Sequence, residues 1–315
     1  MNRVIVVVGK NIKNVVGKHS WTKFEENQMT NNLLESLLST KALSFPPPNE
    51  VFWYTSGTIG PYYINTHYLY GSQREAEQLL EMINSEKDHS EFPLRLRERV
   101  NKQYKNNSIY RSIVDSLIDL IQREASLEFD AISGGERRDW FFSVAVAERL
   151  GKPHVFIFKD LKKVILNGKD IDSEEPIGIH TLHVADLVTE ASSYFRSWIP
   201  AVTTDGGSIK YSANVIDRGQ GGIEALRKKG IDSNALLCVN KPLFAKLLDN
   251  GIINADQAKL FQAYHDDPYC AMRGFLVSNP EFIKSALNTN DPKTLERVGS
   301  FLKKNPYKLE FDPSR

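Results

Sequence analysis

Apolar positions along the chain follow two rhythms. Over residues 21–43, the spacing of Leu33, Leu34, Leu37 and Leu38 predicts a helix with one apolar side. Pro46, Pro47 and Pro48 end it and force an extended passage. Residues 52–72 are aromatic and rich in β-formers, but Gly57, Gly60 and Pro61 interrupt them, so two short strands around a turn are expected. Helical spacing returns over 74–128, with breaks near 90–93 and at Asn106-Asn107. Ile113, Leu117, Leu120 and Ile121 form the stripe of its last helix.

After Phe129 the rhythm becomes strand, helix, strand. Ala131-Ile132 lead into SGGERRDW at 133–140, and 141–150 reads as a helix ended by Gly151, with Pro153 just beyond. A strand is predicted at 154–158. Polar residues 160–176 with an Asn167-Gly168 turn read as a hairpin or a mobile loop. Strands at 177–184, 211–216 and 235–239 alternate with helices at 193–202 and 223–229, the last ended by Gly230. Such alternation implies a mostly parallel sheet covered on both faces, with ligands at the carboxyl ends of its strands. From Pro242 onward the pattern is helical, broken at Gly251, Pro268, Pro280 and Pro292.

Composition narrows the function class. The 315 residues are 41% hydrophobic and 25% charged, with a net charge of +1. That balance gives no field to draw the chain to nucleic acid or to an acidic membrane. Two cysteines, Cys238 and Cys270, suit a reducing compartment and a cytoplasmic protein. The apolar run at 4–8 is too short for a signal peptide, and no run is long enough to span a bilayer.

Candidate chemistry sits in three turns at predicted strand ends. TLHVADLV at 181–188, followed by TEASS, places Asp186 at a strand end before a turn of small and hydroxyl residues. Such a turn holds phosphate through backbone N–H groups and hydroxyls. An ordinary strand with an N-capped helix after it has the same pattern. In SGGERRDW, Gly134 and Gly135 would let backbone approach a ligand, and Arg137 and Arg138 would pair with phosphate oxygens. Alternatively Glu136 and Asp139 neutralise those arginines at a solvated helix start. DRGQGG at 217–222 offers Arg218 on a flexible loop, suited to a carboxylate or simply exposed.

Together these turns resemble the type I phosphoribosyltransferases, and within them the orotate phosphoribosyltransferases. TSGTIGPYYIN at 55–65 is similar to that family's substrate segment. HVADLVTEASS stands in the place of its phosphoribosyl pyrophosphate motif, and VIDRGQGG resembles the strand whose arginine holds the orotate carboxylate. TTDGGS at 203–208 looks closer to the motif by letters, but it has no apolar strand directly before it and lies too near Asp217.

The resemblance implies a Rossmann-like α/β core at 129–251 under an N-terminal hood at 1–72. A helical insertion at 73–128 and a helical C-terminal extension at 252–315 complete the division. It implies phosphoribosyl transfer to a pyrimidine-type base, with Mg2+ as cofactor, in a homodimer. Asp186 and Lys159 would be catalytic, and Asp186 would also hold the metal. Gly134, Gly135, Arg137, Arg138, Thr189, Ser192 and Ser193 would bind pyrophosphate and the phosphoribosyl group. Ser56, Gly57, Tyr62, Tyr63 and Arg218 would bind the base.

Five departures accompany the resemblance. Ala185 replaces the first acid of the motif, and Glu190 lies within the phosphate turn. Ala191 and Ser192 replace glycines, and Thr55 stands where a lysine is usual. The segment after Phe158, expected to be a basic loop, mixes Lys159, Lys162, Lys163 and Lys169 with five acids. A ligand sensor without catalysis is the alternative those departures leave open.

Overall fold

A computed structural model describes residues 23–125, 128–172 and 178–309 of the chain. The apolar run at 4–8, residues 21–22, 126–127 and 173–177 of the predicted elements lie outside the described residues. Helix α1 (Lys23–Ser39) buries Leu33, Leu34 and Leu37. It stops four residues earlier than its pattern suggests. Lys41 turns into the left-handed region at φ 59°, and the chain reverses to form a strand.

Four two-residue strands follow, β1 (Leu43–Ser44), β2 (Phe52–Trp53), β3 (Ile59–Gly60) and β4 (Tyr63–Ile64). They pair antiparallel, β1 with β4 and β2 with β3. A 3-10 helix, Thr66–Tyr70, replaces the end of the predicted strand region. Helices α2 (Gln73–Glu86), α3 (Phe92–Asn106) and α4 (Ser108–Glu124) break where the sequence breaks. Asn107 caps α4 by accepting from the N–H of Tyr110 at 2.9 Å.

The core runs β5 (Ala131–Gly135), α5 (Trp140–Leu150), β6 (His154–Ile157), β7 (Lys163–Asn167), β8 (Asp170–Asp172) and β9 (His180–Val188). A π-helical turn, Tyr194–Trp198, leads into α6 (Ile199–Thr203), β10 (Ser208–Asp217), α7 (Gly222–Lys228) and β11 (Asp232–Cys238). The sheet order is β11-β10-β9-β5-β6-β7-β8. The first five strands are parallel and β7 and β8 add antiparallel at one edge. Alternate residues feed two cores, one for each covered face. Ile132, Phe156 and Val184 join one, and Ala131, Val155 and Ala185 join the other. Strand β9 continues past residue 184 to Val188, which carries Asp186 within the strand rather than after it.

Residues 160–172 therefore form a hairpin. Lys163, expected in a basic loop, is 3% exposed, and its ammonium donates to the carbonyl of Ala201 at 2.6 Å and pairs with Asp205. Burial of that charge is tolerated because both partners satisfy it. TTDGGS sits at the amino end of β10, away from the carboxyl ends where ligands bind, and supplies that Asp205.

Helices α8 (Lys241–Asp249), α9 (Ala255–Asp266), α10 (Pro268–Ser278), α11 (Glu281–Leu287) and α12 (Pro292–Lys304) complete the fold. Pro268 and Pro292 occupy first-turn positions, and Gly251 takes φ 67°. These helices fold back onto the hood. Trp53 stacks on Phe282 with ring centroids 5.0 Å apart and meets Phe301 edge-on at 5.1 Å. Among the described residues no helix is long and apolar enough to cross a membrane.

Candidate functional site

A cavity of about 550 Å³ opens at the carboxyl ends of β5 and β9. Arg137, Arg138 and Lys159 line one side; Asp186, Thr189, Ser192 and Ser193 line the other. Seven residues singled out from three separate sequence segments thus line one cavity. Arg138 is exposed and makes no ion pair among the described residues, while Arg137 donates to the side-chain oxygen of Asn84 on α2. Lys159 follows β6, where its backbone N–H donates to Glu136 at 3.1 Å. Guanidinium and ammonium groups beside hydroxyls are the kind of lining that can hold an anion.

The turn after β9 has a left-handed residue in it. Ala191 adopts φ 57° and is 3% exposed, so an alanine holds a conformation that favours glycine. Glu190 lies exposed on the cavity rim. Tyr194 anchors the π-helical turn by donating to Asn214 on β10 at 3.0 Å.

Asp186 is buried and accepts from the hydroxyl of Thr66 at 2.5 Å. Burial and then the neighbouring Asp139 carboxylate push its pKa above the ordinary carboxylate range. His67, next to Thr66, is held neutral at the pH of a cell. Burial, reinforced by Arg138 and Arg137, lowers its pKa to about 3. Asp139 accepts the N–H of Gly135 and the N–H of Asp186, both at 3.0 Å. It is a buried acceptor in the cavity floor rather than a surface counter-ion to the arginines, which corrects the solvated-turn alternative.

Other expected residues stand elsewhere. Gly134 and Gly135 lie inside β5, not on the cavity wall. A Cβ on Gly134 would meet the Ser143 hydroxyl at 2.1 Å, and one on Gly135 the indole of Trp198 at 2.2 Å. Their bareness makes room for packing rather than for a ligand. Ser56 and Gly57 face α12. Lys304 donates to the carbonyl of Ser56 at 2.7 Å, and a Cβ on Gly57 would meet Ser300 at 2.8 Å. Tyr63 donates to the carbonyl of Trp53 at 2.7 Å and accepts from Arg297 at 3.2 Å. Tyr62 is 2% exposed and packs on Phe244, Phe261 and Tyr264.

Arg218 joins Tyr62, its guanidinium 6.0 Å from the ring centre. Its backbone N–H donates to the carbonyl of Val188 at 2.9 Å, which places it beside the phosphate turn. So the phosphate-side residues other than Gly134 and Gly135 line the cavity. Of the base-side set, Arg218 and Tyr62 meet each other across the fold.

Thr66, His67 and Asp139 carry no site role in the sequence reading. Thr66 and His67 arrive from a segment about 120 residues away, a meeting that no local pattern announces. Asp139 had a local signal, an acid at the start of a helix; its inward turn depends on the strand beside it.

For magnesium, the donor set fits. The ion binds through one or two carboxylates together with phosphate oxygens and water, and Asp186 is the carboxylate on the cavity lining that would hold it. Among the described residues no group of three or more His, Cys, Asp or Glu side chains forms a metal site by itself.

No family model matches the chain. It is 34% identical over 104 residues to the orotate phosphoribosyltransferase of Sinorhizobium medicae (strain WSM419), a match covering 33% of this chain and 44% of that protein. The orotate phosphoribosyltransferase of Rhizobium meliloti (strain 1021) matches with the same identity and coverage. The chain thus spans under half the length of the curated relatives it matches. Among solved structures, the UMP synthase of Leishmania donovani superposes with a TM-score of 0.51 at 15% identity, covering 76% of this chain and 43% of that one. The chain has the type I phosphoribosyltransferase fold, and across a third of its length it is similar in sequence to orotate phosphoribosyltransferases.

Proposed function

We propose that the chain transfers a phosphoribosyl group from phosphoribosyl pyrophosphate to a pyrimidine-type base. The observation that carries this reading is the single cavity uniting Arg137, Arg138 and Lys159 with Asp186 and the Thr189–Ser193 turn. In the reaction the bond from the sugar C1 to the pyrophosphate oxygen breaks and a bond from C1 to a ring nitrogen forms. The ring nitrogen's proton goes to solvent. Positive charge develops on the sugar and negative charge on the leaving group. Arg137, Arg138 and Lys159 neutralise the pyrophosphate, Thr189, Ser192 and Ser193 hold the 5′-phosphate, and Asp186 orients the ribose hydroxyls. Bound Mg2+ supplies further charge neutralisation at the pyrophosphate. Arg218, over Tyr62, is the group to which a base carboxylate would turn.

A second reading, a ligand sensor without turnover, is favoured by Ala185 in place of an acid and by Glu190 on the rim. Incubation with phosphoribosyl pyrophosphate, Mg2+ and a panel of bases separates the two. Release of pyrophosphate is expected; binding without release would establish the sensor. Arg218→Ala is expected to abolish calorimetric binding of a carboxylated pyrimidine, and unchanged binding would remove Arg218 from the base site. Assembly as a homodimer in the cytoplasm completes the proposal, and light scattering at micromolar protein tests the dimer.

A further inference from the structure

Strands β5 and β9 are paired from Ala131↔Thr181 to Ser133↔His183. Beyond that point two backbone donors face the gap from opposite strands, the N–H of Gly135 and the N–H of Asp186. Asp139 stands between them and accepts one with each oxygen, both at 3.0 Å. It is 7% exposed, and behind it Nε2 of His183 lies 3.5 Å from the oxygen that serves Gly135. Gly135 opens the Arg137-Arg138 turn, and Asp186 opens the descent to the Thr189–Ser193 turn. One carboxylate therefore bridges the two halves of the cavity where the ladder has stopped. With a separate oxygen serving each N–H, an acceptor-only side chain is called for, since an amide would turn its own NH2 donors toward one of them.

We infer that Asp139 is a positioning residue that fixes the spacing between the arginine turn and the phosphate turn, and so favours a ligand carrying anionic groups at both ends. This rests on the function proposed above and adds the residue that sets its ligand length. A ligand that engages one turn alone is indifferent to the spacing. A ligand that spans both gains the second contact within one molecule, and loses that gain when the turns drift.

The test is calorimetric titration, in Mg2+, of the parent, Asp139→Asn and Asp139→Ala with three probes. Inorganic pyrophosphate reports the arginine turn, ribose 5-phosphate the phosphate turn, and phosphoribosyl pyrophosphate both. In Asp139→Asn the two half-probes are expected to keep their affinity within about threefold, while phosphoribosyl pyrophosphate weakens at least tenfold. Should Asp139→Ala not fold, the near-isosteric Asp139→Asn decides alone. If the spanning probe weakens no more than the half-probes do, the inference is wrong and the functional reading stands. If the parent takes none of the three, the functional reading falls and the inference with it.

Discussion

At Ala191 the backbone adopts φ 57° in a buried turn. The left-handed region costs an L-residue roughly 1–2 kcal/mol, while burial of one methyl returns about 0.8 kcal/mol. The two terms nearly offset each other, so Ala191→Gly is expected to stay within about 1 kcal/mol of the parent in urea unfolding. Ala191→Val adds a branched side chain where φ is positive and space is filled, and is expected to lose more than about 2 kcal/mol. Equal losses for both would mean that the turn is not held left-handed.

Asp186 gives a pH signature. Its folded-state pKa is raised by burial and by Asp139. Below the unfolded carboxylate pKa, about 4, both states are protonated and the site costs nothing. As pH rises through the folded pKa, the chain must hold a charge it disfavours, and stability falls. Asp186→Asn removes that charge and leaves an oxygen for Thr66. Its melting temperature relative to the parent is expected to be higher at pH 8 than at pH 5. A constant difference between the two pH values would mean that Asp186 is charged throughout.

Among elements, the hood and the C-terminal helices behave as one piece. In the hood hairpin, Tyr54 donates to the carbonyl of Tyr62 at 2.6 Å, over a backbone that only Gly60 leaves clear. A Cβ on Gly60 would lie 2.2 Å from the Tyr54 hydroxyl. Gly60→Ala is expected to cost about 1–3 kcal/mol by overpacking. Once Tyr54→Ala has removed the ring, the same change should cost under half as much, a coupling that a double-mutant cycle measures. Additive losses would mean that the two residues do not touch.

How far the sequence could be read also separates by element. Helix breaks at Asn107, Gly251, Pro268 and Pro292 were visible because each acts through its own backbone, by capping, by a left-handed turn or by a missing donor. The gathering of Arg137, Lys159 and Asp186 on one cavity was legible because each sits near the end of its own strand. Gly134 and Gly135 misled, because a bare Cα reads the same whether a ligand or Trp198 fills the space. The burial of Lys163 was not legible because its partner, Asp205, lies 42 residues away. The covering of Ser56, Gly57 and Tyr63 by α12 was invisible, since nothing local in those residues names a helix more than 200 residues downstream.

For the molecule as a whole, the contacts between hood and α12 make two distant segments one cooperative unit. Arg297 donates to the carbonyl of Trp53 at 3.0 Å, and Tyr307 meets both backbone groups of Ile59 at 3.2 Å. Native-state hydrogen exchange is expected to report one opening free energy for peptides from 52–64 and 292–304. Arg297→Ala is expected to speed exchange in both segments and leave β9 and β10 protected. Faster exchange in α12 alone would show that the hood holds itself.

The same contacts set a timetable. Ile59 and Tyr307 are separated by 248 residues. At about 5–20 residues per second, a ribosome needs on the order of tens of seconds to deliver the second after the first. Throughout that interval the aromatic cluster of Phe52, Trp53 and Tyr54 has emerged without the surface that finally covers it. Sticky, unfinished surface is what chaperones bind and what aggregates form from. During synthesis the cluster of Phe52, Trp53 and Tyr54 is the part that must be shielded until α12 arrives.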